Sequence, residues 1–229
     1  MAYNFLGLVN DVNKRLNEVP LTSSNFASSQ GYYAMTKEAI NSSVQHINQE
    51  HFEWPFNHQT TEVTLTPGQL RYDLPATVKT VDWDTFRLKA TDSTKTTLLR
   101  TLSYEDYLQD YLDKEYERAL PRFVVRTPDG NYLLYPNPDQ AYVLVYESYL
   151  NSVDLVSYTD VPSLPEQFRH VIVDGAMYYA YQFRGDTQNA SNSFQKFTQG
   201  LNNMRKIYIN RYDYVRSTLI GERGRRNAY

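Results

Sequence analysis

An α+β fold, with helices at the two ends of the chain and strands between them, is what this sequence predicts. Three observations carry it. Apolar residues recur at three- and four-residue steps near both ends, the period changes to two from about Thr60 to Ser152, and each end helix has one apolar stripe that needs a partner to be buried. The expected architecture is an antiparallel helix bundle formed by the N- and C-terminal helices, with an inserted small antiparallel β subdomain and an extended C-terminal tail. By domain, residues 1–59 should supply the N-terminal helices, 60–160 the inserted β subdomain with one helix, 161–210 a C-terminal helical hairpin, and 211–229 the tail.

Phe5, Leu8, Val9, Val12 and Leu16 give one apolar side to a first helix expected over about Ala2 to Glu18, ended by Pro20. After a polar run, a second helix over about Tyr32 to Glu53 carries Ile40, Val44, Ile47, His51 and Trp54 as far as Pro55. Val63 and Leu65 then alternate with Glu62 and Thr64, Pro67-Gly68 suits a type II turn, and Tyr72 and Leu74 continue on a second arm, which predicts strand, turn and strand. Val78, Val81, Trp83, Phe86 and Leu88 extend the β region, and T-D-S-T-K-T-T from Thr91 to Thr97 reads as a flexible loop. Ser103 with Asp106 opens a helix through Tyr107, Leu108 and Leu112 that should last until Pro121. Two strands joined at Asp129-Gly130 follow in R-F-V-V-R-T-P-D-G-N-Y-L-L-Y-P, and Tyr142 to Tyr149 alternates as a further strand.

The stretch from Leu164 to Tyr208 reads as a helical hairpin. Ser163 and Glu166 form a capping box with Pro165 in the first turn, and Phe168, Ile172, Gly175, Ala176, Tyr179 and Phe183 share one face. Gly185 stands where a left-handed C-cap is needed, and Asp186 is the next N-cap. Ala190, Phe194, Phe197, Leu201, Met204 and Tyr208 form the seam of the second helix. Arg184-Gly185-Asp186 is thereby a pair of caps rather than an adhesion tripeptide.

Composition narrows the function. The 229 residues can bury a core without staples, and the absence of cysteine removes disulfides, thiolate metal sites and cysteine nucleophiles, which suits assembly in a reducing cytoplasm. The first residues lack the basic region and cleavage site of a signal peptide, and no apolar run reaches the roughly 18 residues of a membrane span, so a soluble protein with no membrane partner is expected. A formal charge of -3 and a pI near 5.8 argue against a dedicated nucleic-acid binder. Tyrosine, at 21 residues, is the outlier. Its ring suits surfaces that are both wet and used for contact, and with a mean hydropathy of -0.61 the balance tips toward extensive subunit interfaces over a tyrosine-rich core.

No catalytic residue, metal ligand set or cofactor is expected. His46 and His51 fall on different faces of a helix, His58 lies beyond it, and H-E-x-x-H is missing. Asp106, Asp110, Asp113 and Glu117 recur at three- and four-residue steps, which reads as a solvated face rather than a glycosidase pair. The phosphate-loop, dinucleotide-binding and hydrolase-elbow motifs have no match.

Three stretches carry a family resemblance. P-E-Q-F-R-H-V-I-V-D-G-A-M-Y-Y-A-Y-Q-F-R-G-D, from Pro165 to Asp186, is similar to the closing helices of the head-to-tail adaptor (connector) proteins of tailed bacteriophages, the family that includes the tail tubular protein A of short-tailed phages. I-N-S-S-V-Q-H-I-N-Q-E-H-F-E-W-P-F-N-H, from Ile40 to His58, and T-L-T-P-G-Q-L-R-Y-D-L-P, from Thr64 to Pro75, resemble the same family. The resemblance implies a structural virion protein of the neck or tail, assembled in the host cytoplasm, without enzymatic activity. It would form a dodecameric ring beneath the portal, join head to tail, extend the DNA exit channel and retain the genome until ejection. Its partners would be the portal protein, tail or nozzle proteins, copies of itself, and passing double-stranded DNA by non-specific contact. Another neck or tail-completion ring, a stopper or terminator, is the nearer alternative. A lysis or cell-wall enzyme is the farther one.

The residues themselves suggest where the portal would be held. Beyond the helical seam, Tyr212, Tyr214, Leu219, Ile220 and Tyr229 are interspersed with Arg211, Arg216, Arg223, Arg225 and Arg226, and Gly221 and Gly224 let the backbone bend. These residues are the expected portal anchor, with arginines pairing to carboxylates and apolar side chains filling pockets.

Overall fold

Residues 2–51, 53–90, 95–114 and 116–208 are described by the computed structural model, and their architecture is α+β. In chain order the elements are α1 (Phe5–Arg15), α2 (Tyr32–Glu50), β1 (His58–Thr64), β2 (Arg71–Tyr72), β3 (Val78–Val81), β4 (Arg87–Ala90), β5 (Thr96–Leu98), β6 (Arg100–Leu102), α3 (Tyr104–Asp110), β7 (Phe123–Arg126), β8 (Tyr132–Tyr135), β9 (Tyr142–Leu150), α4 (Arg169–Phe183) and α5 (Thr187–Tyr208). The chain divides into two compact units, Met1–His51 with Ser152–Tyr229, and Phe52–Asn151.

The first unit is a helix bundle centred on α4. R-H-V-I-V-D-G-A-M-Y-Y-A is apolar nearly all round, as a helix touching three neighbours must be, and it packs on α1, α2 and α5. Phe5, Leu8, Val9 and Val12 of α1 and Ile40, Val44 and Ile47 of α2 are buried as their periodicity requires. Asn4 caps α1, its side chain accepting from the Gly7 N–H at 2.9 Å. Gly185, at φ 73°, closes α4, and the Asp186 carboxylate accepts from the Asn189 backbone N–H at 3.1 Å to start α5. The Asn189 side-chain amide, donating to the same carboxylate at 2.6 Å, and this backbone bond hold the Asp186 carboxyl below the usual aspartate range. The capping box at Ser163 does not open the α-helix directly. A 3₁₀ turn, Glu166–Phe168, comes first, and α4 begins at Arg169.

The second unit has three layers. In its first sheet the order is β1, β9, β4, β5, with β3 also paired to β9; in the second it is β2, β8, β7, β6, where only the β6–β7 pair is parallel. Leu65, Phe86, Leu88, Leu144 and Tyr146 meet Tyr72, Val124, Tyr132 and Leu134 between the sheets. On the far side of the second sheet, Val125, Leu133 and Tyr135 are covered by Tyr107 of α3. The strand Y-L-L-Y is therefore buried on both faces, and its apolar run is continuous for that reason.

Several expectations change here. The strand, turn and strand expected from Val63 to Leu74 are present, but the two strands do not pair with each other: β1 pairs with β9 in one sheet and β2 with β8 in the other. Gly68, at φ 79°, donates its N–H to the Pro138 carbonyl at 2.7 Å, with the Arg118 guanidinium packed where a Cβ would stand. The turn thus carries the chain between sheets. The helix expected to run to Pro121 ends at Asp110, followed by a 3₁₀ turn over Leu112–Lys114. Beyond it the backbone is drawn elsewhere: the Asn137 N–H donates to the Glu117 carbonyl and the Ala119 N–H to the Asn137 carbonyl, at 3.0 and 2.9 Å. Of the expected loop T-D-S-T-K-T-T, Thr91 to Thr94 lie outside the described residues, while Thr96 and Thr97 belong to β5. The Asp129-Gly130 connection joins β7 to β8 as its sequence predicts, with Gly130 at φ 86°.

The tyrosine excess serves the core of this unit more than its surface. Tyr72, Tyr107, Tyr132, Tyr135, Tyr142 and Tyr146 are all buried. Tyr72 stacks on Tyr132 at 5.6 Å, and Phe86 on Tyr146 at 4.8 Å. Burial raises the hydroxyl pKa of Tyr72, Tyr132 and Tyr146, and pushes that of Tyr135 up to about 12. In the unfolded chain these groups ionise near pH 10, so their contribution to stability is complete below about pH 10 and is lost as pH rises through the folded values. The Tyr132 hydroxyl is also buried without a hydrogen-bond partner. Tyr132→Phe should accordingly leave stability at pH 7 unchanged or raised by up to about 1 kcal/mol, and lessen the alkaline loss. Urea midpoints at neutral pH and above pH 10 check this; a clear drop at neutral pH would mean the hydroxyl is satisfied in solution.

Candidate assembly surfaces

The portal-anchor residues Arg211, Tyr212, Tyr214, Arg216, Leu219, Ile220, Arg223, Arg225, Arg226 and Tyr229 lie outside the described residues. What the described residues offer is a set of exposed surfaces, four of which have enough apolar content to matter for contact.

The first is the outer side of the α4–α5 hairpin. Phe183 and Phe194, expected in the hairpin seam, are 70% and 41% exposed, because Ala190, Phe197, Leu201 and Met204 take the buried side of α5. Phe194 lies on the flank, its ring 5.0 Å from that of Tyr178, between two shallow grooves floored by α5. No carboxylate occurs from Thr187 to Tyr208, and half of the exposed positions are amides, among them Gln188, Asn192, Gln195, Gln199, Asn202 and Asn203. Arg205 at the end of the helix is held by Glu50.

The second surface is the segment entering α4. Val153, Val156 and Val161 are 80, 79 and 59% exposed. Their backbone is nevertheless fixed. The Asp160 carboxylate accepts from the N–H groups of Val156 and Ser157 at 2.8 and 2.7 Å, its carbonyl accepts from the Phe5 N–H at 2.7 Å, and Asn41 exchanges two hydrogen bonds with the Leu155 backbone. Valines presented on a tied backbone form a contact surface rather than a loose loop. Sequence reading missed them because their spacing follows neither helix nor strand; the only available signal was apolar residues amid turn formers.

The third lies on the β unit. Val143 and Val145 alternate with the core residues Tyr142, Leu144 and Tyr146, so they point to the outer face of the first sheet with Arg87, Lys89 and Leu98. On the opposite side of the unit, Leu108 and Leu112 are 41 and 46% exposed beside the carboxylates of Asp106, Asp110 and Asp113.

Two of the four histidines have side-chain partners in place. His46 shares a hydrogen bond of 2.9 Å with the Tyr179 hydroxyl and lies 3.5 Å from Glu50, and His58 is 2.9 Å from Glu147. Among the described residues no group of histidine and carboxylate side chains could hold a metal ion, and no helix is long and apolar enough to cross a membrane. This arrangement is suited to binding other macromolecular surfaces.

Compared with known families, the chain matches the model described as SU10 adaptor protein over residues 3–220. The match takes in both units and runs into the terminal segment. No curated protein matches the chain.

Proposed function

Because the chain belongs to the SU10 adaptor protein family, a family of phage adaptor-type structural proteins, we propose that it is a head-to-tail adaptor of the virion neck. Copies form a ring beneath the portal, with the portal's twelvefold symmetry, as in the tail tubular protein A group. The ring joins head to tail, continues the DNA exit channel and touches passing DNA without reading its sequence. Tail or nozzle proteins bind its distal side. The family match over nearly the whole chain carries this reading, and the exposed apolar surfaces fixed on a folded scaffold support it.

Ring formation is templated by the portal in this proposal, since the formal charge of -3 gives free copies little drive to associate. Light scattering of the purified chain should give the monomer mass, and adding portal rings should give one further ring in electron micrographs. A closed dodecamer without portal would overturn templating and leave the adaptor role. Labelled chain found in the neck or at the tail end but not against the portal would overturn the adaptor role and favour a stopper or terminator.

A further inference from the structure

We infer that the outer face of the first sheet is the docking site for a second copy of this chain, and that the α3 side of that copy, around Leu108, Leu112 and Tyr116, occupies it. The inference deepens the ring reading above and rests on it, naming the contact that links neighbours. The register places the residues of this face in rows. Glu62, Val145, Arg87 and Leu98 stand side by side across β1, β9, β4 and β5, and Thr64, Val143, Lys89 and Thr96 form the next row. Neighbours in such rows are about 5 Å apart, so Val143, Val145 and Leu98 lie beside the two cations Arg87 and Lys89, with Glu62 at the β1 end of the row. Leu98 is 58% exposed, and neither Arg87 nor Lys89 forms an ion pair among the described residues.

The complement is on the other side of the same unit. Tyr107 and Tyr111 fasten α3 and the residue after it to the far face of the second sheet, while Leu108, Leu112 and Tyr116 are exposed, the last 92%. Around them Glu105, Asp106, Asp110 and Asp113 are exposed, and none forms an ion pair among the described residues. Two sheets separate the surfaces, so within one unit they cannot meet. Between copies they can, apolar side chains on apolar side chains and cations on carboxylates. A symmetric contact is disfavoured, since it would set Arg87 and Lys89 against their own copies with Glu62 alone to offset them, or the four carboxylates against theirs. Complementary patches on opposite sides of one body give a head-to-tail contact, the kind that closes into rings.

The cysteine-free chain makes the test direct. Leu98→Cys and Leu112→Cys variants, separately and combined, are assembled on portal rings and treated with a flexible bis-maleimide. A mixture of the two single variants should give cross-linked dimers, neither alone should, and the double variant should give a ladder. Arg87→Glu with Lys89→Glu should raise the concentration needed for ring assembly at least tenfold, as should Asp110→Lys with Asp113→Lys, and the chain carrying all four should recover. Circular dichroism checks that each variant is folded. Rings that form without the 98–112 cross-link, or with 98–98 cross-links alone, overturn this contact and leave the ring reading standing. If the wild-type chain forms no ring on the portal, the ring reading fails and this contact with it.

Discussion

A chain cut after Asn210 should fold as the full chain does and lose its hold on portal rings. The buried side chains found among the described residues all precede that point, so truncation leaves every one of them in place. What it removes is a segment with five arginines against Asp213 and Glu222, together with Tyr212, Tyr214, Leu219, Ile220 and Tyr229. Arginine and tyrosine are the side chains that most often dominate interfaces, and losing two such anchors alone weakens binding on the order of 100-fold or more. Co-sedimentation with portal rings should therefore vanish at concentrations where the full chain saturates, while the thermal midpoint stays unchanged. Replacing Arg223, Arg225 and Arg226 by Glu should reproduce part of the loss, and added salt should weaken full-length binding, if charge pairing carries it. Binding of undiminished strength by the truncated chain would refute the anchor.

The second large effect is expected at Phe197. Its ring is fully buried and fills the space that Gly175 leaves on α4: a Cβ at Gly175 would stand 2.8 Å from that ring and closer still to the Ser43 hydroxyl. The same hydroxyl donates to the Ile172 carbonyl at 2.9 Å, and His46 meets the Phe197 ring edge-on with centroids 5.0 Å apart. Three helices thus converge on one side chain. Phe197→Ala should cost about 3 to 5 kcal/mol, because little around the site can collapse into the void. For a protein of this size that lowers the thermal midpoint by on the order of 10 °C. Gly175→Leu should cost at least about 1 to 3 kcal/mol by the opposite mechanism, overpacking. Phe194→Ala is the comparison, since a ring 41% exposed on the helix flank should cost much less. A Phe194→Ala variant less stable than Phe197→Ala would reverse the assignment of the seam.

What the sequence by itself determined is what depends on near neighbours in the chain. The stripes of α1 and α2, the Gly185 and Asp186 caps and the Asp129-Gly130 turn are all legible, because helical period, a left-handed backbone and a short polar cap are settled within a few residues. Tertiary structure decided the rest. Alternation around Val63 and Tyr72 says which face is buried but not which strand lies alongside, so two strands joined by one turn are divided between two sheets. The helix opened by Ser103 stops at Asp110 because the backbone near Glu117 and Ala119 bonds to Asn137, a residue distant in sequence. Phe194 and Phe197 are the same residue type three apart, and only the position of α4 determines which is buried. The tyrosines look in composition like a surface for partners, yet in the β unit their rings fill the core. Likewise V-L-V in β9 reads as a continuous apolar run, and it takes the register with β1, β4 and β5 to turn Val143 and Val145 outward beside Lys89 and Arg87. Local chemistry chooses the element and its buried side; which surface meets which is a long-range choice, made by the packing that buries the most apolar area with its polar groups paired.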